Sequence, residues 1–189
     1  MKRLFLIAGL MATLALAIVA SAMAAANFGG TWTLDKAKSQ GLSQRLQGAD
    51  KVTWTITQDD KTITIDQKVE GGQPPAGGGG GAGGGGGAGS GGGMGGGRGP
   101  GGPPPAYKLD GSETSMDMGP AKVTLKATWS GDALELSRKS TVTAQDGSER
   151  KSSETRKLSL SSDGKVLTAI VHSEGGRGGP TDSTLVFNK

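Results

Sequence analysis

Lys122-Val123-Thr124-Leu125-Lys126-Ala127-Thr128-Trp129 decides the fold. Val123, Leu125, Ala127 and Trp129 share one parity, and Lys122, Thr124, Lys126 and Thr128 share the other. Side chains along an extended strand point alternately to opposite faces, so this stretch is a strand with one dry and one wet face. Ser130-Gly131-Asp132 follows as a turn. Leu134 and Leu136 then open a return strand that runs to Val142. Two such strands joined by a tight turn make a hairpin.

The same pattern spreads in both directions. Upstream, Gly30-Thr31-Trp32-Thr33-Leu34 alternates, and Val52 to Thr57 sets Val52, Trp54 and Ile56 against three threonines. Gln58 to Lys61 turns the chain into Thr62-Ile63-Thr64-Ile65-Asp66. Leu42 and Leu46 stand one helical turn apart, which predicts a short helix or an Ω-type loop within residues 35–50. Downstream come Tyr107-Lys108-Leu109, then Glu149 to Leu160, Val166 to His172 and Ser183 to Phe187. Asp146-Gly147, Asp163-Gly164 and the glycine loop from Gly175 to Pro180 supply the turns. The expected architecture is all-β: one antiparallel meander of about 8–9 strands. Closing into a barrel is the simplest way for such a meander to avoid free edges.

Extending the inward parity meets polar residues. Leu134 and Leu136 lead to Arg138 and Ser140. Leu158 and Leu160, followed backwards, lead to Arg156 and Glu154. Either these strand ends project past the core into solvent, or one end of the interior is polar. In the second case Arg138 and Arg156 would meet an anionic head group.

Between the two groups of strands lies Gly71 to Pro105, which holds 22 of the 36 glycines. A segment without side chains to bury cannot offset the entropy of ordering its backbone, so a disordered loop is expected here. The residues before it cannot close a sheet alone, which makes the tract an insertion in one domain spanning 27–189. Polyglycine matches dinucleotide fingerprints trivially, but no strand and helix flank this one and no Lys-Ser/Thr follows it. Arg98 and Arg177 each sit between glycines, without the aromatic partners or repetition that RNA binding needs.

Met1-Lys2-Arg3, the apolar run from Leu4 to Ala20, and Ser21-Ala22-Met23-Ala24 form a signal-peptide pattern. Cleavage is expected after Ala24 or Ala26, which implies a periplasmic or extracellular protein with no stable membrane span. The formal charge of +4 includes Lys2 and Arg3, so the mature chain carries about +2, no footprint for nucleic acid. With no cysteine and a single histidine, His172, a Cys-His pair and a multi-histidine metal site are both excluded. No Gly-x-Ser-x-Gly elbow precedes a helix, and the sequence nominates no catalytic residue and no cofactor.

Gly30-Thr31-Trp32-Thr33-Leu34-Asp35 with Lys38-Ser39, Trp129-Ser130-Gly131-Asp132-Ala133-Leu134, Leu160-Ser161-Ser162-Asp163-Gly164-Lys165-Val166-Leu167-Thr168 and the closing Val186-Phe187-Asn188-Lys189 occur in that order. Together they resemble a group of bacterial secreted lipocalin-like β-barrel proteins. The resemblance covers about 130 residues, all but the signal segment and the glycine tract. It implies a lipocalin-like barrel and no defined activity.

The expected function is that of an exported, non-enzymatic protein binding a small apolar or amphiphilic ligand. Trp32, Trp54 and Trp129 lie on apolar strand faces, as core anchors or as the lining of a ligand cavity. Arg138 and Arg156 are the candidate head-group residues. Two other functions remain open: an envelope interaction module using the glycine-rich loop, and Cu(I) handling by Met116 and Met118, with Met94 and His172 as further candidate ligands.

Overall fold

The computed structural model describes residues 26–71, 104–144, 147–175 and 179–189. The expected signal segment and residues 72–103 of the glycine tract lie outside the described residues, as do Met94, Arg98, Asp146 and Arg177.

The chain forms β1 (Gly30–Leu34), a short helix α1 (Gln44–Gly48), β2 (Lys51–Gln58), β3 (Thr62–Glu70) and β4 (Ala106–Lys108). It continues through β5 (Thr114–Met118), β6 (Ala121–Ser130), β7 (Ala133–Thr143), β8 (Glu149–Leu160), β9 (Val166–Glu174) and β10 (Thr181–Asn188). All ten strands belong to one antiparallel sheet in the order β4-β3-β2-β1-β10-β9-β8-β7-β6-β5. Every strand is bonded to its chain neighbour except β4 and β5. The first and last strands pair instead, with Thr33 opposite Asn188 and Leu34 opposite Phe187. The result is a nearly closed barrel whose seam lies between β4 and β5, where β4 sits beside β6.

The structure adds one strand, β5, to those expected from the sequence. Strands on both sides of residues 72–103 share the sheet, because Ala106, Tyr107 and Lys108 of β4 face Thr64, Ile63 and Thr62 of β3. Leu109 N–H also donates to Lys61 O at 2.7 Å.

Alternation explains which face is dry. Val52, Trp54 and Ile56 on β2, Val123, Leu125 and Ala127 on β6, and Leu167, Ala169 and Val171 on β9 are all buried. Trp54 packs on Phe187 with ring centroids 4.3 Å apart. Phe28, just before β1, is fully buried and stacks on Trp129 at 6.1 Å. Burying a large apolar side chain contributes about 1.5–3 kcal/mol, so these residues dominate the stability of a fold without disulfides.

The Gly-Thr-Trp opening and the chain's last residues have local physical reasons. Trp32 is fully buried and its indole N–H donates to Phe28 O at 2.8 Å. The Lys189 ammonium lies 5.2 Å from the centre of the same ring. Gly30 has φ +137°, and a Cβ there would come within 3.1 Å of Lys189 Cε, so glycine before Thr31-Trp32 leaves the lysine its path. Ser39 Oγ accepts from Val186 N–H at 2.9 Å and donates to Asp35 O at 2.7 Å, pinning the loop after β1 to β10. The Asn188 amide bonded to Asp35 Oδ2 favours the ionised carboxyl and lowers its pKa. That loop contains α1, which buries Leu46, whereas Leu42 precedes the helix and is only partly buried. Lys36 Nζ donates to Ala49 O at 2.6 Å just past the helix, where carbonyls lack intrahelical partners.

Candidate functional site

Register places Arg138 of β7 and Glu154 and Arg156 of β8 inside. Leu136 is opposite Arg156, and Arg138 is opposite Glu154. Directly paired residues in an antiparallel ladder share a face, and Leu136 is 1% exposed. The side chains of Arg156 and Glu154 are only 11% and 16% exposed. The strands therefore do not leave the barrel at these positions, and this part of its interior is polar.

The charges are unevenly matched. Arg156 Nε donates to Glu154 Oε1 at 2.6 Å. Its guanidinium also lies 5.4 Å from the centre of the Trp54 ring, a cation–π distance. Trp54 is held in turn by its indole N–H, which donates to Gln67 Oε1 at 2.9 Å. The ion pair, the indole and the amide fix Arg156. Arg138, by contrast, has a buried Nε that makes no hydrogen bond. Tyr107, 6% exposed on β4, lies within the electrostatic reach of all three charged groups. Burial pushes its phenol pKa up, and the two arginines pull it partly back.

Two further buried hydroxyls lack partners, Thr114 Oγ1 and Ser173 Oγ. Neither was expected from the sequence. Ser173 continues the Leu167, Ala169, Val171 parity by one step, so its inward face was legible in principle. Thr114 belongs to β5, whose Thr-Ser-Met-Asp-Met sequence alternates weakly and lacks large β-formers.

The other candidates lie apart from this cluster. Trp32 and Trp129 are tied to Phe28, while Trp54 alone of the three adjoins Arg156. Met116 packs against the core from β5, and Met118, two residues on, is 41% exposed. His172 is on the outer face of β9. Its Nδ1 lies 2.6 Å from Asp182 Oδ1 and its Nε2 lies 3.2 Å from Glu174 Oε1. The hydrogen bond to Asp182, then that to Glu174, raise the imidazole pKa. Among the described residues, no three His, Cys, Asp or Glu side chains converge as metal ligands. A surface depression of about 450 Å³ lies where Gly119 and Pro120 turn β5 into β6, lined also by Asp117, Lys122, Glu149 and Lys151. Its lining mixes both signs of charge and shares no residue with the interior cluster.

No family model, curated protein or solved structure matches this chain.

Proposed function

We propose that this is an exported, non-enzymatic lipocalin-like protein that takes a small amphiphilic molecule into its barrel. One observation carries the reading: the interior joins a fully apolar region to a cluster with two guanidiniums and one carboxylate. A barrel that only had to be stable would continue its leucines, because buried ions cost more to desolvate than a packed apolar residue. Fold alone does not determine function; the chemistry of this interior site does. Binding sites for amphiphiles combine apolar walls with a few placed polar groups, as this interior does.

Native mass spectrometry of the protein purified from its own envelope tests both parts. The account expects a protein mass lacking the first 24 or 26 residues, with a fraction carrying a small molecule released on denaturation. A full-length mass would contradict export. Bare protein throughout, under conditions that preserve weak complexes, would contradict the binding function.

A further inference from the structure

The three buried polar atoms without partners are not scattered. Through the ladders, Thr114 pairs with Leu125, Leu125 with Arg138, Arg138 with Glu154, and Glu154 with Ser173. Thr114, Arg138 and Ser173 thus occupy one transverse row of the sheet, on β5, β7 and β9, and all face inward with Leu125. Those three residues account for every such orphan atom among the described residues. Native proteins pair nearly all buried polar groups, so an aligned set of orphans on the inner face of one sheet needs a cause. The acceptor nearest in register to Arg138 is Glu154, and one of its oxygens already bonds Arg156 at 2.6 Å.

We propose that this row is the head-group site, that it takes a single carboxylate borne on an alkyl chain, and that Arg138 is its anchor. The proposal rests on the amphiphile-binding function above and names the ligand class for it. Arg138 stands at the centre of the row. Neighbouring strands are about 4.8 Å apart, so Thr114 and Ser173 each stand about 10 Å from it along the wall, on opposite sides. That is too far for one carboxylate to touch both hydroxyls. Arg138 bonds the carboxylate directly, and the hydroxyls hold the waters that complete its shell. Two guanidiniums against one glutamate favour a monoanion. Arg156, fixed by Glu154 and Trp54, contributes charge from a set position.

The alkyl chain has a surface to cover. Ile65 and Val69 of β3 pair with the buried Ile56 and Val52, and Met116 of β5 pairs with the buried Val123, so all three face inward. Each is nonetheless only partly buried. Met116 lies on β5 at the seam, and Ile65 and Val69 lie on β3 beyond the three residues that β4 covers, so inward-facing apolar surface near the seam is left partly uncovered.

The test titrates the mature protein with decanoate and, separately, with decanol, reading heat and indole fluorescence. Wild type should bind decanoate more tightly than decanol. Arg138→Met should weaken decanoate about 10- to 100-fold, the range for a lost hydrogen bond to a charged group, and leave decanol unchanged. Thr114→Val and Ser173→Ala should each weaken decanoate a few-fold, again with decanol unchanged. All three variants should melt at or above the wild-type temperature, since each removes an orphan polar atom; a structural role would lower it. If Arg138→Met does not fold, the two hydroxyl variants decide, and unchanged decanoate affinity in both overturns the proposal. Equal binding of decanoate and decanol, untouched by Arg138→Met, overturns the head-group assignment and leaves amphiphile binding standing. No binding of either probe to wild type removes both.

Discussion

Strands β7 and β8 each carry two kinds of interior on one parity. Leu134, Leu136 and Leu158 are at most 1% exposed. Arg138, Glu154 and Arg156 follow on the same inward face of the same strands. Backbone geometry treats the two halves alike, since pleat and register continue through both. Side-chain chemistry separates them. The leucine half is held by non-directional packing and leaves nothing unsatisfied. The charged half depends on one short ion pair and leaves an arginine donor unbonded. Alternation therefore tells where a residue points, and residue type tells what that part of the interior can hold. A stretch that breaks the stability rule while keeping the parity rule marks the place to look for a ligand.

The comparison breaks if the leucine half proves dispensable. Leu158→Ala should cost about 2–5 kcal/mol in urea unfolding, because the fully buried neighbours of Leu158 cannot collapse onto the space left. In the charged half, Glu154→Gln should cost about 1–3 kcal/mol by the same measurement. It strips the carboxylate from a mostly buried guanidinium, while the remaining exposure of both partners keeps the loss below that of a fully buried pair. A cost from Glu154→Gln exceeding that of Leu158→Ala would mean that the ion pair, not the leucines, carries the fold.

Replacing residues 72–103 by a ten-residue glycine-serine linker should disturb neither half. Ala106 lies opposite Thr64, so Gly71 and Pro104 are separated by about 17 Å along the strand direction. Ten extended residues reach about 33 Å, and loop closure favours the shorter connection slightly. Circular dichroism should be unchanged and the melting temperature equal or higher. Loss of the folded state would make the tract part of the barrel.

The smallest effect belongs to His172, outside both halves. Its folded-state pKa is raised, chiefly by the hydrogen bond to Asp182. The stabilisation this brings is fully present below the unfolded imidazole pKa and fades as pH rises through the folded one. Asp182→Asn should lower the His172 midpoint seen by NMR. An unmoved midpoint would mean that the Nδ1 contact is absent in solution.

Much of the barrel was legible because period 2 is a strong signal wherever β-branched and aromatic residues alternate with threonine and lysine, as in β2 and β6. A short helix or Ω-type loop was legible within residues 35–50, though Leu42, half of the spacing that suggested it, lies before α1. β5 did not show, because five residues of small, polar and thioether side chains become a strand only beside β6. Sheet order was also beyond local patterns: the seam falls between β4 and β5, and β1 finds β10 at the far end of the chain. At the site, parity exposed Arg138, Glu154 and Arg156. It did not show that Arg156 would be held by Glu154 and Trp54 while Arg138 was left free at Nε. That distinction depends on side-chain reach across the barrel, which a linear pattern does not contain. Thr114 and Ser173 stayed silent for a related reason, since isolated hydroxyls acquire meaning only through a row spanning five strands.

The most direct test is a crystal structure of the mature protein grown with bromine-tipped decanoate. The account predicts an anomalous bromine peak within the barrel's apolar surface and carboxylate density at hydrogen-bond distance from Arg138 Nε. Bromine found only outside the barrel, or an interior that stays closed with Arg138 Nε still unbonded, would contradict it.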